Sequence, residues 1–404
     1  MMTSHAGTGK DIALIDIDWA IRRFGGRFFV AALVLAALFT ALLIDLRFAK
    51  IFSFPLDVAN ASKEDLMAFW RAGVMSVQGD AAALYDSDRF RAGLPPNGAG
   101  LLWLNPPHFL LLVTPLGLLP YGAAKAIWLA LSVAAFAALA RLAGRGHPFA
   151  WLILLSPAMF AHLLVIQAGP FVALGLFCAL SLARRRPIAA GILLALLTMK
   201  PQFGLIAPVF FAATGQWRAI VATITTSFGL VLLSIAFFGI DPWMAFVQSL
   251  GGAHSQHAAT LHVDMLTIHQ TVGKLGFDPT WRSIGQFAVT GAAALVVWVS
   301  ARRLPQNLAI GVTLLASAAA SPSLWVYDWP LIAAGLIVLC RGEAPWPLPL
   351  QALAASLWAA PLISLGFGTK ESSLVAPSLL LLSTVAATTY LIAVKADDRR
   401  PQTR

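Results

Sequence analysis

Roughly 11–13 apolar stretches divide this chain, counted by the length needed to cross a ~30 Å hydrocarbon core. No other feature narrows the possible folds as far. A backbone inside lipid must satisfy its own hydrogen bonds, which leaves helices or closed barrels, and stretches of this length are helical. Only 11% of the 404 residues are charged and the mean hydropathy is +0.78, whereas soluble domains carry about 25% charged residues. The expected fold class is therefore all-α: a polytopic integral membrane protein with a single transmembrane domain over residues 28–394. Short tails, 1–27 and 395–404, flank it, and no polar block is large enough to fold alone.

A net charge of +10 could point to nucleic acid, but the cations do not form a basic face. They fall in short clusters between apolar stretches, as they do in cytoplasmic loops. Of the 28 Lys and Arg, 13 lie in Lys10, Arg22, Arg23 and Arg27, in Arg184–Arg186, in Arg302 and Arg303, and in Lys395, Arg399, Arg400 and Arg404. Both tails are thus expected inside, in a bacterial cytoplasmic membrane, with the first helix retained. Loops 48–105 and 240–281 then lie outside. The first carries six acids against five bases, which agrees. Cys178 and Cys340 both sit in apolar runs and read as packing residues without a disulfide.

Four apolar stretches, 107–119, 122–140, 149–166 and 169–183, separate the outer loop from Arg184–Arg186. An outside-to-inside path needs an odd number of crossings, so one of them stays on its own side. The 107–119 stretch reaches only ~20 Å as a helix; the alternative is 149–166, which contains Pro157 and His162. Arg141 and Arg145 favour the first solution, being inside only there. Residues 188–214 are interrupted by Lys200-Pro201-Gln202 and read as a hairpin with Lys200 at its turn, within the outer half of the membrane. An intramembrane Lys is costly and marks a functional hypothesis. On cost alone, Lys200→Met is expected to leave the fold intact.

The topology, set from cations at the inner ends, places Asp65, Gln167, Lys200, His269, Gln270 and Asp328 on or near one outer face. Each has a plainer reading. Asp65 can be a helix-start carboxylate, Lys200 can snorkel, His269-Gln270 can cap a helix, and Asp328 can belong to an interfacial belt. His254, His257, His262 and His269 lack metal-ligand spacing. Asp65 opens a run with Leu66, Phe69 and Trp70 at helical spacing. The expectation is a short amphipathic helix lying on the membrane with its apolar face down.

The order Asp65-Leu-Met-Ala-Phe-Trp-Arg-Ala-Gly73, Leu84-Tyr85-Asp86, Asn105-Pro-Pro-His-Phe109, Ile166-Gln167-Ala-Gly-Pro170, Leu197-Thr-Met-Lys200-Pro-Gln202 and Ser321-Pro322 … Tyr327-Asp328 resembles the membrane glycosyltransferases of family 87. These are relatives of polyprenol-phosphate-mannose-dependent mannosyltransferases in the C-type superfamily. The motifs run over about residues 57–330. Two departures from the usual pattern stand out: Ile166 stands where relatives usually have Gly, and Ser323 with Val326 stands where many place His.

The resemblance implies transfer of mannose or another hexose from a polyprenyl phosphate donor to a lipid or glycan acceptor at the outer face, with inversion at the anomeric carbon. It implies Asp65 as general base, with Asp57 in reserve, and Lys200 as the phosphate ligand, with Arg71 second. Gln167, Gln202, His269, Gln270, Tyr327 and Asp328 would line the sugar and acceptor pocket. No nucleotide cofactor and no obligatory metal are expected. A lipid flippase without transfer chemistry is the alternative from another class. It would more typically show inverted repeats, which are not evident in this sequence.

Overall fold

A computed structural model describes residues 17–62, 64–250, 265–341, 346–367, 377, 380 and 383–394. Among the described residues the regular structure is helical throughout. Six helices among the described residues are long and apolar enough to cross a membrane, and eight shorter apolar helices accompany them there. The expected all-α, polytopic class is what is found.

The helices used below are α1 (Arg27–Leu46), α2 (Leu66–Val77), α3 (Tyr121–Gly144), α4 (Pro157–Val165) and α5 (Gly169–Leu182), then α6 (Pro187–Leu196), α7 (Ala207–Ala213), α8 (Trp217–Phe238) and α9 (Ile268–Lys274). They continue with α10 (Pro279–Arg303), α11 (Gln306–Ala320), α12 (Pro330–Leu339) and α13 (Leu348–Phe367).

Long-range contacts sort the turns between them to two ends. At one end the Phe24 ring stacks on His147 with centroids 4.6 Å apart, and Trp346 N donates to the Gly25 carbonyl at 3.1 Å. There Arg341 also donates to the Ala143 carbonyl, and Gln306 Nε2 to the Leu180 carbonyl at 3.4 Å. Among the described residues, this end gathers Arg22, Arg23 and Arg27, Arg184–Arg186, and Arg302 with Arg303. At the other end Asp65 N donates to the Val165 carbonyl at 2.8 Å and Leu266 N to the Leu324 carbonyl at 2.7 Å.

These ends decide between the two crossing schemes. Residues 107–118 form a 3-10 turn, one turn of α-helix and a second 3-10 turn. They start and finish against the polar loop: Tyr85 Oη donates to the Asn105 carbonyl at 2.8 Å and Trp70 Nε1 to the Leu119 carbonyl at 2.9 Å. The stretch therefore does not traverse the bundle. Residues 148–165 do, running from His147 at the basic end to Val165 beside Asp65. Their first eight residues are 3-10 helix, with a longer rise than α-helix. Eight residues at ~2.0 Å and nine at ~1.5 Å give ~30 Å, enough for a crossing. The switch to α-helix occurs at Ser156, whose Oγ accepts from Met159 N at 3.1 Å ahead of Pro157 at the first helical position.

Residues 187–213 form the expected hairpin around Lys200: α6 leads in, α7 leads out, and Gly204 comes back to within contact of Leu194. The amphipathic helix after Asp65 is also found, but not as a surface helix with its apolar face on lipid. Eight of the twelve residues of α2 are buried. Phe69 packs edge-on against Trp103, Phe109 and Trp128. Gly73 meets Gly117 backbone to backbone, where a Cβ on either would clash. Folding 107–118 underneath covers this face with protein, a tertiary effect that helical spacing cannot report.

Candidate active site

Asp65 stands at the N-terminus of α2, but its carboxylate does not cap that helix. The segment is fixed from both sides. Asp65 N is bonded to Val165 O. The preceding Glu64 is buried, accepting from Tyr121 Oη at 2.6 Å and from Lys125 Nζ at 2.7 Å. Glu64 and Lys125 are 3% and 1% exposed, so this is a fully internal ion pair between the polar loop and α3. The Asp65 carboxylate accepts a bond from Gln167 Nε2 at 3.2 Å.

Gln167 is aimed by an unusual backbone. Ile166 adopts φ 53°, ψ 67°, the left-handed region, and ends α4 there. This is costly for a β-branched residue and free for glycine, which accounts for the glycine that relatives are expected to carry here. Gln167 Oε1 then accepts from Ala168 N at 2.8 Å, which leaves Nε2 directed at Asp65.

Opposite lies the 321–328 loop. Asp328 Oδ1 takes Lys200 Nζ at 3.1 Å and Oδ2 takes Trp325 N at 3.1 Å. The Lys200 and Asp328 side chains are only 8% and 2% exposed. Lys200 Nζ also lies 4.9 Å from the centre of the Tyr327 ring, a cation–π distance. Tyr327 stands between the two halves, close enough to Gln167 and to both carboxylates, Asp65 and Asp328, for its phenol to feel them electrostatically. Gly169 permits this: a Cβ there would overlap the Tyr327 carbonyl oxygen. Asp65, Gln167, Tyr327, Asp328 and Lys200 thus form one connected cluster drawn from four distant parts of the chain.

The other residues singled out in the sequence are placed differently. His269 and Gln270 open α9 beside this loop, through the Leu266–Leu324 bond. His269 N donates to Gln286 Oε1 at 3.3 Å, and Gln270 N donates to the capping Thr267 Oγ1 at 3.3 Å. Gln202 follows Lys200 in a single helical turn and is half-buried. Arg71 points away from the cluster and braces the loop, donating to the Arg89 and Phe90 carbonyls at 3.4 and 3.3 Å. Asp57 is exposed and caps a 3-10 turn through Ala59 N at 2.9 Å. His254, His257 and His262 lie outside the described residues. Among the described residues, no three His, Cys, Asp or Glu side chains gather as a metal site.

Several residues of the site were not singled out in the sequence. Glu64 counted only as loop charge, although Lys125 inside an apolar run was a readable signal, since such a charge requires a partner. Gln286 bridges α9 to α11, donating from Nε2 to the Ala320 and Ser321 carbonyls at 3.2 and 3.3 Å. His108 pairs through Nε2 with Thr198 Oγ1 at 3.0 Å, two residues before Lys200, and stacks on Trp243 at 5.9 Å. His162 is fully buried on α4 within the field of Lys200, and neither of its ring nitrogens has a hydrogen-bond partner.

Chemically, the cluster offers a carboxylate oriented by an amide and, across a tyrosine, an ammonium held by a second carboxylate. One half can accept a proton. The other can hold an anion, because a Lys ammonium has three donor hydrogens and Asp328 occupies one. In comparisons with known proteins, the family model described as glycosyltransferase family 87 matches residues 103–326, more than half of the chain. The match includes Gln167, Lys200, Gln202, His269 and Gln270, while Asp65 precedes it and Tyr327 and Asp328 directly follow it. No curated protein and no solved structure matches.

Proposed function

Since the chain belongs to glycosyltransferase family 87, and is on that ground a membrane glycosyltransferase, we propose that it moves mannose or another hexose from a polyprenyl phosphate to a hydroxyl of a lipid or glycan acceptor. The end of the bundle that carries Asp65 and Lys200 faces away from the cytoplasm, because the Arg clusters gather at the opposite end. The observation that carries this reading is the single cluster of Asp65, Gln167, Tyr327, Asp328 and Lys200.

In this reading Asp65 takes the proton from the acceptor hydroxyl, within hydrogen-bond reach, as a general base must. The acceptor oxygen attacks the anomeric carbon from the face opposite the phosphate, giving inversion. The bond from that carbon to the phosphate oxygen breaks, and its electron pair leaves with the lipid phosphate. Lys200 meets that growing negative charge with a cation already fixed in place by Asp328, so little reorganisation is needed at the transition state. Gln167 orients the Asp65 carboxylate. Tyr327, Gln202, His269 and Gln270 contact sugar and acceptor. Arg71 acts at a distance by bracing the loop, and Asp57 remains the reserve base.

The test is direct. Purified protein in sealed lipid vesicles is given polyprenyl phosphate carrying labelled mannose, glucose or galactose, together with membrane lipid extract as acceptor. Release of polyprenyl phosphate with label appearing in a new product is the expected result. Movement of intact donor across the bilayer without release would favour the flippase instead.

A further inference from the structure

A crevice of about 310 Å³ opens between α1, α4 and α13, and none of its lining residues belongs to the Lys200 cluster. It is lined by Phe39 and Leu43 of α1, Phe160 and Leu164 of α4, and Leu362 and Leu365 of α13, and Arg47 and Lys50 stand at its polar end. The volume is at the small end of ligand sites, suited to a segment of one hydrocarbon chain. Arg47 and Lys50 are exposed, and no ion pair is formed by either among the described residues. Asp45, the acid at that end of α1, is not part of the lining.

We infer that this crevice binds an anionic phospholipid, with the headgroup phosphate at Arg47 and Lys50 and one acyl chain along α1, α4 and α13. Charge complementarity selects the occupant. Two cations three residues apart at the end of an apolar slot attract any lipid phosphate, but they favour a headgroup with net negative charge, because a zwitterion brings its own cation up against the same two charges. The site is separate from the donor centre. α4 divides them, with Phe160 and Leu164 on the crevice side and His162 near Lys200. The bound lipid would also steady the transfer site, because Leu164 adjoins Val165, whose carbonyl holds the Asp65 backbone.

This inference is independent of transfer chemistry, and its test reads binding alone. The full chain, purified in detergent, is mixed with dioleoyl phosphatidylglycerol, dioleoyl phosphatidylcholine or polyprenyl phosphate, singly and in competition, and examined by native mass spectrometry. One retained phosphatidylglycerol per chain is expected, at least tenfold preferred over phosphatidylcholine. Arg47→Ala/Lys50→Ala, which alters only exposed side chains, should abolish that preference. Leu164→Trp, which fills the slot and leaves both charges, should remove the retained lipid. Equal retention of the two phospholipids, an unchanged preference in Arg47→Ala/Lys50→Ala, or unchanged retention in Leu164→Trp overturns the inference. So does retention of polyprenyl phosphate in place of phosphatidylglycerol, or a lipid-free dimer.

Discussion

Lys200 Nζ lies 3.1 Å from Asp328 Oδ1, and both side chains are almost wholly buried. The pair joins the hairpin turn after α6 to the loop before α12, 128 residues further on. It changes what is expected of each residue alone. A lone intramembrane Lys is a cost whose removal should be tolerated; a paired one neutralises a buried carboxylate. Removing one partner of a buried pair costs about 3–5 kcal/mol. Lys200→Met should therefore lower the melting temperature, whereas Lys200→Met/Asp328→Asn, which leaves no orphan charge, should recover most of it. Donor affinity should fall in both. Parent-like affinity in the folded double variant would exclude Lys200 as the phosphate ligand.

Asp65→Asn should retain the fold, because the carboxylate does not cap α2 and the backbone bond to Val165 is untouched. Donor binding should survive. Turnover should fall by at least ~10²-fold, the low end for loss of a general base. Asp57→Asn removes only an exposed cap and should keep turnover near the parent's. The reverse order in the two kcat values would make Asp57 the base.

Lys125→Met strands Glu64 in the interior with Tyr121 as its remaining partner, which should cost several kcal/mol on the scale of a broken buried pair, about 3–5 kcal/mol. Glu64 adjoins Asp65, so the acceptor KM and kcat should both worsen in this variant. Circular dichroism melts and steady-state kinetics read the two effects separately. An unchanged melting temperature would mean that the pair contributes nothing net.

At position 166 the usual ranking of small residues should invert. Both Ile166→Ala and Ile166→Gly lose a fully buried side chain, but only glycine takes φ 53° freely. The left-handed conformation costs an L-residue about 1–2 kcal/mol, so the Gly variant should melt above the Ala variant. An Ala variant as stable as the Gly variant would show that the conformation carries no strain.

Asp88 is an exposed residue of the polar loop that the proposed orientation places outside. Asp88→Cys should react with a membrane-impermeant maleimide on intact cells, while Cys178 and Cys340, within apolar segments, should not. Labelling only after permeabilisation would reverse the orientation assigned to the active site.

The sequence alone determined the fold class, the all-helical spans, the presence of a helix after Asp65 and the hairpin at Lys200. Span length and cation clustering are local properties that the membrane reads directly, and each motif carries its own helix-start or turn chemistry. It also named all five residues of the central cluster. Only the tertiary structure decided how they connect. Glu64 and Lys125 are 61 residues apart, and Lys200 and Asp328 are 128 apart; no periodicity encodes which buried charge meets which. The same holds for Arg71, whose guanidinium goes to the Arg89 and Phe90 carbonyls, and for Asp57, held at the surface as a cap. The fate of residues 107–118 was likewise a packing outcome. They are apolar enough to enter the membrane and too short to cross it, and the close approach of Gly73 and Gly117 folds them beneath α2 instead. A chain can state which residues are too costly to bury without a partner, but the partner is chosen by the packing that brings distant segments to one face.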